Sequence, residues 1–368
     1  MIQYQLKLKL TKTQDRILSQ WLWNLTGIYN WAVRKIKMDA GYRIYHSQKD
    51  FQNLLAGHSP KLDVPSHTIQ GILTNAYTSW QICFKKQAKE PKLKGIRNKL
   101  NYIPFPDPIK RPAKNKIRLP ELKEVRFHKQ YIPEGIIKCG RIIKKASGWY
   151  LCLVIDASSN PIPRISNEQV GIDPGFNHLL TLSNGGKIEH PRELEASLKR
   201  LGQAQRGKNK KLTARIHERI ANQRKDRNHK LSRKIVSENV FVAFSKDNIR
   251  GIAHKFGKSV SSSGHGQLRR MFAYKSSSCG TEYVEVESKN STKSCCVCGS
   301  LTGPSGLGDL AVREWVCSVC GMHHDRDINA AVNALISGLG DSHELLREGS
   351  LKSYESQTMM CANSKKAQ

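Results

Sequence analysis

Two Cys-x-x-Cys pairs in the last third of the chain constrain its folding more than any other feature. Cys295 and Cys298 form the first pair, and Cys317 and Cys320 form the second after eighteen intervening residues. Each pair lets one turn place two sulfurs about 2.3 Å from an ion, and two turns complete a tetrahedron. The spacing therefore predicts a structural zinc ribbon that depends on its metal because it has almost no core. Iron–sulfur ligation and redox chemistry are the alternatives, and Cys296 is expected to be a bystander.

The charge of the chain indicates a polyanionic partner. The sequence contains 61 lysines and arginines against 30 aspartates and glutamates, a formal net charge of +31. So many like charges repel one another unless a polyanion lies against them, and nucleic acid is the usual one. A ribosomal-type or merely basic protein is the alternative, but it would not need the metal-binding pairs. We therefore predict a protein that binds nucleic acid.

The most basic stretch spans residues 192–234, where 15 lysines and arginines face 4 acidic residues at a spacing compatible with helices. We predict a helix hairpin lying against phosphates, because helices with this charge would otherwise repel themselves strongly. A solvated helix face is the alternative. The candidate nucleic-acid contacts are Arg215, Arg219, Arg224, Lys225, Arg227 and Lys230.

The sequence has no sign of a membrane segment. No stretch reaches about 18 uninterrupted apolar residues, and the first residues lack the layout of a signal peptide. The chain has ten cysteines, and the six outside the two pairs are scattered along the sequence, which suits buried thiols in a reducing compartment. We expect a soluble, cytoplasmic protein with no membrane partner.

The first 160 residues predict a small β-barrel that is interrupted by helices. Residues 2–10 alternate apolar and polar side chains, as half-buried strands do, and strand patterns return between about 116 and 157. Helical spacing of apolar positions predicts a first helix from Ile17 and a second from Ser66, with a polar loop over 40–65 between them.

Trp21 and Tyr29 belong to the first predicted helix. Aromatic side chains in a nucleic-acid-binding protein can stack on bases. At helical spacing they more often belong to the core, and we favour the core for both.

A second predicted domain begins at Val170–Phe176, a strand that ends close to Asp173 and leads into an antiparallel hairpin. Val240–Phe244 is a short continuous apolar run, which is typical of a strand covered on both faces. The remaining predicted elements are a helix over 268–275, a strand over 283–287, a helix over 329–338 and a disordered tail over 341–368.

Asp173 at the end of its strand and Asp327 at a helix start are expected to meet over one sheet. Two or three carboxylates converging there would bind Mg²⁺, which activates water and stabilises the leaving oxygen in phosphodiester cleavage. Either aspartate alone is uninformative, because most aspartates cap helices or face water.

Short motifs surround these acids and the cysteine pairs. They are Gly171–Gly175, Asn222–Asp226, His229–Ser232, Tyr274–Lys275, Thr292–Gly299, Trp315–Gly321 and Asp325–Ala331. Together they resemble the TnpB family, the transposon-encoded RNA-guided nucleases related to type V CRISPR effectors. The resemblance covers nearly the whole chain, and its specific motifs are the C-terminal ones.

That resemblance implies an α/β multidomain fold in which an RNase H-like (RuvC) domain contains an inserted zinc ribbon and follows a wedge β-barrel with an inserted helical recognition lobe. It also implies a guide RNA and a double-stranded DNA target next to a short motif read by the protein, in a prokaryotic cytosol or nucleoid. The implied boundaries are 1–10 and 95–160 for the barrel, 11–94 for the lobe, 168–290 and 322–340 for the RuvC-like domain, and 291–321 for the ribbon.

One of the family's three catalytic carboxylates is missing at its expected position. Two of them correspond to the aspartates above, and the third, a glutamate, normally ends the strand that here ends at Ser245. In one branch of the family it lies about seven residues before the first zinc cysteine, where this chain has Ser288. Glu285 and Glu287 are candidate substitutes, but a one-residue slip on a strand turns a side chain to the opposite face.

We therefore expect an RNA-guided DNA-binding protein with structural zinc and no cleavage, similar to the nuclease-inactive TnpB-like repressors that occupy promoters. Loss of a metal ligand costs orders of magnitude in rate, whereas the basic helices and the ribbon look intact. The first alternative is an active Mg²⁺-dependent RNA-guided endonuclease with a displaced glutamate. The second is a transposition protein that binds DNA directly without a guide.

Overall fold

Two large β-sheets frame the chain, one in each of two units, Met1–Ser159 and Asn160–Gln368. The computed structural model describes residues 2–95, 98–119, 121–156, 161–190, 193–246, 263–305, 308–309 and 311–340. The tail over 341–368, for which the sequence predicts disorder, lies outside these residues. The finer division into barrel, lobe, RuvC-like domain and ribbon stays a prediction.

The first unit is built on a six-stranded antiparallel sheet with the strand order β2-β5-β6-β1-β4-β3. Its strands are β1 Ile2–Lys9, β2 Tyr102–Phe105, β3 Lys116–Leu119, β4 Lys123–Phe127, β5 Ile136–Lys145 and β6 Gly148–Asp156. The predicted first strand is confirmed, and it is interior, with Leu6 opposite Leu151 and both side chains fully buried. In the described residues β2 and β3 are edges that do not pair with each other, so the expected barrel is an open half-barrel.

Four helices accompany this sheet: α1 Lys12–Gly41, α2 Gln48–Asn53, α3 Ser59–Leu62 and α4 Ser66–Phe84. The two long ones confirm the predicted helices. A capping box starts α1, because the Thr11 hydroxyl accepts from the Gln14 N–H while the Gln14 side chain accepts from the Thr11 N–H. Trp80 of α4 donates its indole N–H to the Val33 carbonyl of α1 at 3.1 Å, which fixes the two helices side by side.

The predicted polar loop over residues 40–65 is wrong, because it contains the short helices α2 and α3. Phe51 of α2 is fully buried, and its ring stacks on Trp31 with 6.1 Å between centroids. Val64 is also buried, and Leu55 and Leu62 pack against the same core, but these few apolar positions follow no helical period, so the sequence pattern missed the helices. The core prediction for Trp21 and Tyr29 is confirmed, since both are buried.

The second unit is built on a five-stranded sheet with the order β11-β10-β7-β8-β9. Its strands are β7 Glu168–Pro174, β8 His178–Leu182, β9 Lys187–Glu189, β10 Asn239–Lys246 and β11 Glu282–Glu287, and a separate hairpin pairs β12 Glu314–Val316 with β13 His323–Asp325. The predicted hairpin and strands are therefore confirmed. The apolar run in β10 lies between two parallel neighbours, β7 and β11, and Val242, Ala243 and Phe244 are all buried.

The described part of this unit has four helices, of which the last three cover the sheet on its two faces. They are α5 Glu193–Arg206, α6 Lys210–Glu238, α7 His265–Cys279 and α8 Arg326–Leu339. Ile172 and Phe244 pack with α6 and α7, whereas Ala243 packs with Leu335 of α8 on the other face. None of the helices in the described ranges combines the length and apolar composition needed to cross a bilayer.

The contact between α8 and β7 depends on a glycine. A Cβ at Gly171 would lie 2.0 Å from the Ala331 carbonyl oxygen, so no other residue allows the helix to approach the strand this closely. The helix that carries Asp327 is thereby seated directly on the strand that carries Asp173.

The predicted basic helix hairpin is confirmed by α5 and α6. Leu201 and Ala204 of α5 pack on Ile216 of α6, and the rest of this 29-residue helix continues toward β10.

Candidate metal centre and acidic sheet site

The four paired cysteines converge on one point. All four sulfur atoms lie within 4.8 Å of one another. Cys295 Sγ is 3.6 Å from Cys320 Sγ, and Cys298 Sγ is 3.6 Å from Cys317 Sγ. Sulfurs placed 2.3 Å from a central zinc ion at tetrahedral angles would be about 3.8 Å apart. The donor set and its spacing therefore fit a structural zinc ion with four protein ligands.

Two similar turns position these sulfurs. The Gly299 N–H donates to the Cys295 carbonyl at 2.8 Å, and the Gly321 N–H donates to the Cys317 carbonyl at 2.9 Å. Gly299 has φ +76° and Gly321 has φ +70°, the left-handed region in which glycine is not strained. A glycine directly after each Cys-x-x-Cys pair therefore closes the turn that presents both thiols.

The protein environment acts in opposite directions on the pKa values of two of these thiols. Burial raises the pKa of Cys295 to about 12. Burial also acts to raise the pKa of Cys317, but hydrogen bonds from the Ser300 and Thr302 hydroxyls outweigh it and lower that pKa to about 5. A zinc ion would deprotonate all four thiols and hold the β12–β13 hairpin, whose described core consists of Trp315 and buried cysteines.

A row of side chains crosses the second sheet on the face covered by α8. Asp173 lies opposite Thr181 of β8, which lies opposite Lys187 of β9. Ile172 pairs with Phe244 in the parallel β7–β10 register, so the next residues, Asp173 and Ser245, are neighbours. Because side chains alternate along a strand, this row shares its face with Gly171 and with α8.

The start of α8 reaches the same row. Asp325 caps the helix by accepting from the Asp327 and Ile328 N–H groups, and its other oxygen lies 2.6 Å from Lys187 Nζ. Asp327 Oδ1 lies 3.5 Å from Arg313 Nη1 in a pair whose carboxylate is mostly buried. The carboxylates at this helix start are therefore paired with cations from the protein itself.

Ser245 occupies the middle of the row as a buried serine. It is 0% exposed, and among the described residues its hydroxyl has no hydrogen-bond partner. It borders a polar cavity of about 260 Å³ together with Glu287, Asn333 and Ser337. A buried hydroxyl beside open polar space stands where a longer side chain could reach toward the aspartates.

The two candidate substitutes lie in different places. Glu285 accepts from Tyr283 at 3.2 Å and pairs with Arg269 of α7 at 3.3 Å, so it lies on the face opposite to Ser245. Glu287 borders the Ser245 cavity, but its side chain is 78% exposed and lies 3.6 Å from Lys246. Ser288 donates to the Lys246 carbonyl at 3.4 Å.

The candidate catalytic acids are not clustered at metal-binding distances among the described residues. In the ranges that the structure describes, the four cysteines are the one group of three or more His, Cys, Asp or Glu residues whose ligand atoms lie within 4.8 Å of one another. Asp173, Asp327 and a glutamate form no such group, so we derive no catalytic step through a magnesium ion.

The predicted nucleic-acid contacts on α6 fall into two sets. Arg215, Arg219, Lys225 and Lys230 are exposed, and Lys230 pairs with Asp226 at 2.8 Å. Arg224 and Arg227 are half-buried beside the start of α7, where Arg227 donates to Asn228 and to the Ser263 carbonyl, and Arg224 lies against Gly264. These two arginines help to pack α6 on α7, whatever else they bind.

Sequence reasoning missed Lys187 and Arg313, the two cations that pair with the carboxylates at the start of α8. Lys187 was recoverable, because pairing β7, β8 and β9 in register places it in line with Asp173. Arg313 has no such signal, because it comes from the ribbon and an isolated arginine in so basic a chain is ordinary.

Family models match two stretches of the chain. One, described as "Cas12f1-like, TNB domain", matches residues 265–334, and another, described as "Probable transposase", matches residues 153–253. A "Putative RNA-guided DNA endonuclease" of Streptomyces pristinaespiralis is 31% identical over 300 residues, which cover 76% of this chain and 73% of that protein. "Putative RNA-guided DNA endonuclease InsQ" of Escherichia coli (strain K12) is 25% identical over 306 residues, which cover 75% of each.

Among solved structures, a cryo-EM structure of the Cas12f1–sgRNA–target DNA complex has a similar fold, with a TM-score of 0.55. The alignment is 14% identical and covers 89% of this chain and 83% of that one, so the likeness concerns the fold. The relative at 31% identity spans about three quarters of both chains, and the two matching stretches include the second sheet and the cysteine pairs. The chain therefore belongs to the TnpB family.

Proposed function

We propose that this protein binds a guide RNA and uses it to occupy double-stranded target DNA without cutting it, so that it acts as a transcriptional repressor. The relatives named as RNA-guided DNA endonucleases support the RNA-guided part. In this proposal the second sheet is the RuvC-like domain with the zinc ribbon inserted. The first unit is the wedge sheet with its helical recognition lobe, and the protein reads a short DNA motif beside the target.

The single observation that carries the proposal is the state of Ser245. A short, buried hydroxyl stands beside Asp173 on the sheet face where a third carboxylate would be needed. Asp327 is already neutralised by Arg313, and Glu285 is held by Arg269 on the opposite face. Two-metal phosphodiester cleavage needs several carboxylates to bind the cations, so these contacts support binding without cleavage.

A second candidate function is an active RNA-guided endonuclease that uses Glu287. The observation in its favour is that Glu287 borders the same cavity as Ser245. Its side chain would have to leave solvent and Lys246 and turn inward for this chemistry.

The test is to purify the protein with its RNA, sequence that RNA, and add matching DNA with Mg²⁺. Guide-dependent DNA binding without cleavage is the expected result. Cleavage that disappears in Asp173→Ala but survives in Glu285→Gln would favour the endonuclease. A preparation that carries no discrete RNA, yet binds DNA, would leave only a transposition protein that recognises DNA directly.

A further inference from the structure

Trp23 on α1 is the most exposed large hydrophobic side chain in the described part of the chain, at 77%. Its neighbours Trp21 and Leu25 are buried in the core of the first unit, so Trp23 points away from that core. A single exposed hydrophobic side chain is ordinary by itself, so the significance of Trp23 depends on the residues around it.

Two grooves meet at this side chain, and Trp23 and Gly27 border both of them. One groove, of about 480 Å³, continues along Trp31 and Lys61. The other, of about 680 Å³, continues along Lys94, Lys99 and Lys144. The Trp23 side chain therefore borders two open spaces, and it is largely exposed between them.

Three lysines line the larger groove, and contacts fix the backbone of Lys94 and the side chain of Lys144. Asn30 accepts from the Lys94 N–H at 2.7 Å and donates to the Lys94 carbonyl at 2.9 Å, which fixes that loop on α1. Lys144 Nζ lies 3.0 Å from the Ser19 hydroxyl and 4.8 Å from the centroid of the Trp149 ring. Of the described residues that line either groove, none is acidic. The negative charges of a chain of phosphates would complement the lysines of the larger groove.

Gly27 leaves a notch between two indoles. Trp23, Gly27 and Trp31 are spaced by four residues, so they lie on one face of α1. Glycine inside a helix is destabilising relative to alanine. Packing does not require it here, because a Cβ at Gly27 would meet no atom within 4 Å. The glycine therefore keeps the space beside Trp23 open at a cost to the helix.

We propose that Trp23 and the Gly27 notch hold an unpaired nucleotide of RNA by stacking, with its neighbouring phosphates along Lys94, Lys99 and Lys144. A flat base fits an exposed indole and the phosphates fit the lysines, a combination typical of single-strand binding. Folded RNA presents unpaired, splayed bases, whereas bases of duplex DNA must first be unstacked. This inference rests on the proposed RNA-guided function and names one contact of that RNA.

The test compares four proteins: wild type, Trp23→Ala, Gly27→Leu and the control Tyr42→Ala. Tyr42 is 75% exposed at the other end of the same helix and borders neither groove. The probes are the RNA that co-purifies with the wild type, extracted and labelled, and a single-stranded oligoadenylate RNA. Trp23→Ala is expected to weaken binding of both by about 5- to 100-fold. Gly27→Leu is expected to weaken both similarly while raising the thermal unfolding midpoint by about 1–4 °C.

The outcomes separate this inference from the proposed function. A wild-type preparation without discrete RNA would end the guide-RNA proposal, and oligoadenylate would still test the groove. The groove assignment is overturned if Trp23→Ala binds both RNAs as tightly as wild type, or if Tyr42→Ala loses as much. A Trp23→Ala protein that keeps its RNA affinity and loses only target-DNA affinity would also overturn it, in favour of a DNA contact.

Discussion

At the residue scale, the two carboxylates at the start of α8 form ion pairs with the protein's own cations. Lys187 is bound to Asp325 and Arg313 to Asp327, in the neighbourhood where divalent ions would otherwise balance the carboxylates. The proposed function takes Ser245 to stand in place of a glutamate, which leaves one negative charge fewer on the same face. This face has fewer carboxylates, and cations of the protein are already paired with some of them. Its affinity for a divalent metal ion is therefore lower.

The first prediction concerns Ser245→Glu. Adding a third carboxylate beside Asp173 without a cation should lower the thermal unfolding midpoint by several °C, because like charges on one sheet face repel and position 245 is buried. Added Mg²⁺ should recover most of that loss in the variant and have little effect on the wild type. The measurement is thermal unfolding with and without Mg²⁺. The control Ser245→Gln introduces a side chain as long as glutamate but uncharged. A Mg²⁺ response in this control would contradict the explanation.

The second prediction concerns His265, which is buried and lies with Nε2 3.1 Å from the Leu179 carbonyl. Burial lowers its pKa to about 4, from about 6.5 in an unfolded chain. Between these values the unfolded state binds a proton that the folded state excludes. The stabilisation is complete above about pH 6.5 and is lost as the pH falls toward 4.

At pH 5 this loss should be on the order of 1–2 kcal/mol of unfolding free energy relative to pH 8. Denaturant unfolding at both pH values measures it. His265→Gln keeps a donor for the Leu179 carbonyl and cannot titrate, so its stability should fall less between the two pH values. Equal losses in wild type and variant would show that other groups are responsible.

At the element scale, the ribbon and the start of α8 are structurally coupled. The ribbon hairpin ends at Asp325, which is also the N-cap of α8. Asn329 and Asn333 of α8 donate to the carbonyls of Ser291 and Ser294, just before the first zinc cysteine. Folding of the metal centre therefore fixes the start of the helix that carries Asp327.

The third prediction is that removing zinc loosens this start. Cys317→Ser should lose the metal, and hydrogen exchange should become faster in the ribbon and in the first turn of α8, while the first unit is unchanged. Metal analysis should find one zinc per wild-type chain. Cys296→Ser is the control, since Cys296 is buried but does not belong to the sulfur cluster. A Cys317→Ser protein that retains full zinc would contradict the four-cysteine assignment.

Much of this architecture could be predicted where the pattern was strong. Alternation predicted β1, helical spacing predicted α1 and α4, and the cysteine spacing predicted the cluster. The α2–α3 segment was missed because the few apolar side chains that hold it, chiefly Phe51, follow no helical period. The pairing of Arg313 with Asp327 could not be predicted, because it depends on how the ribbon folds back on α8.

At the scale of the whole molecule, the charge of +31 should make RNA binding strongly dependent on salt. Arg215 and Arg219 are exposed on α6 and lie one turn apart. The fourth prediction is that Arg215→Ala with Arg219→Ala reduces the slope of log affinity against log salt by about 1–2. Filter binding of the co-purified RNA at several salt concentrations measures the slope. Lys37→Ala removes an exposed lysine already paired with Glu90 at 2.7 Å, and it should change the slope less.

In the proposed function, binding outlasts cleavage because the two depend on different features of the molecule. The zinc cluster, the basic hairpin and the half-barrel are complete structures that need no third acid. Cleavage depends on a few carboxylates on one sheet face. Loss of one ligand there leaves every other part of the molecule able to fold and to bind.

The most direct measurement is single-turnover cleavage by the purified protein–RNA complex, with excess complex, Mg²⁺ and DNA that matches the bound RNA. The fifth prediction is that the DNA is bound in a guide-dependent manner and stays intact, and that Asp173→Ala binds it equally well. Guide-directed cleavage by the wild type that is abolished in Asp173→Ala would contradict the account and restore the endonuclease.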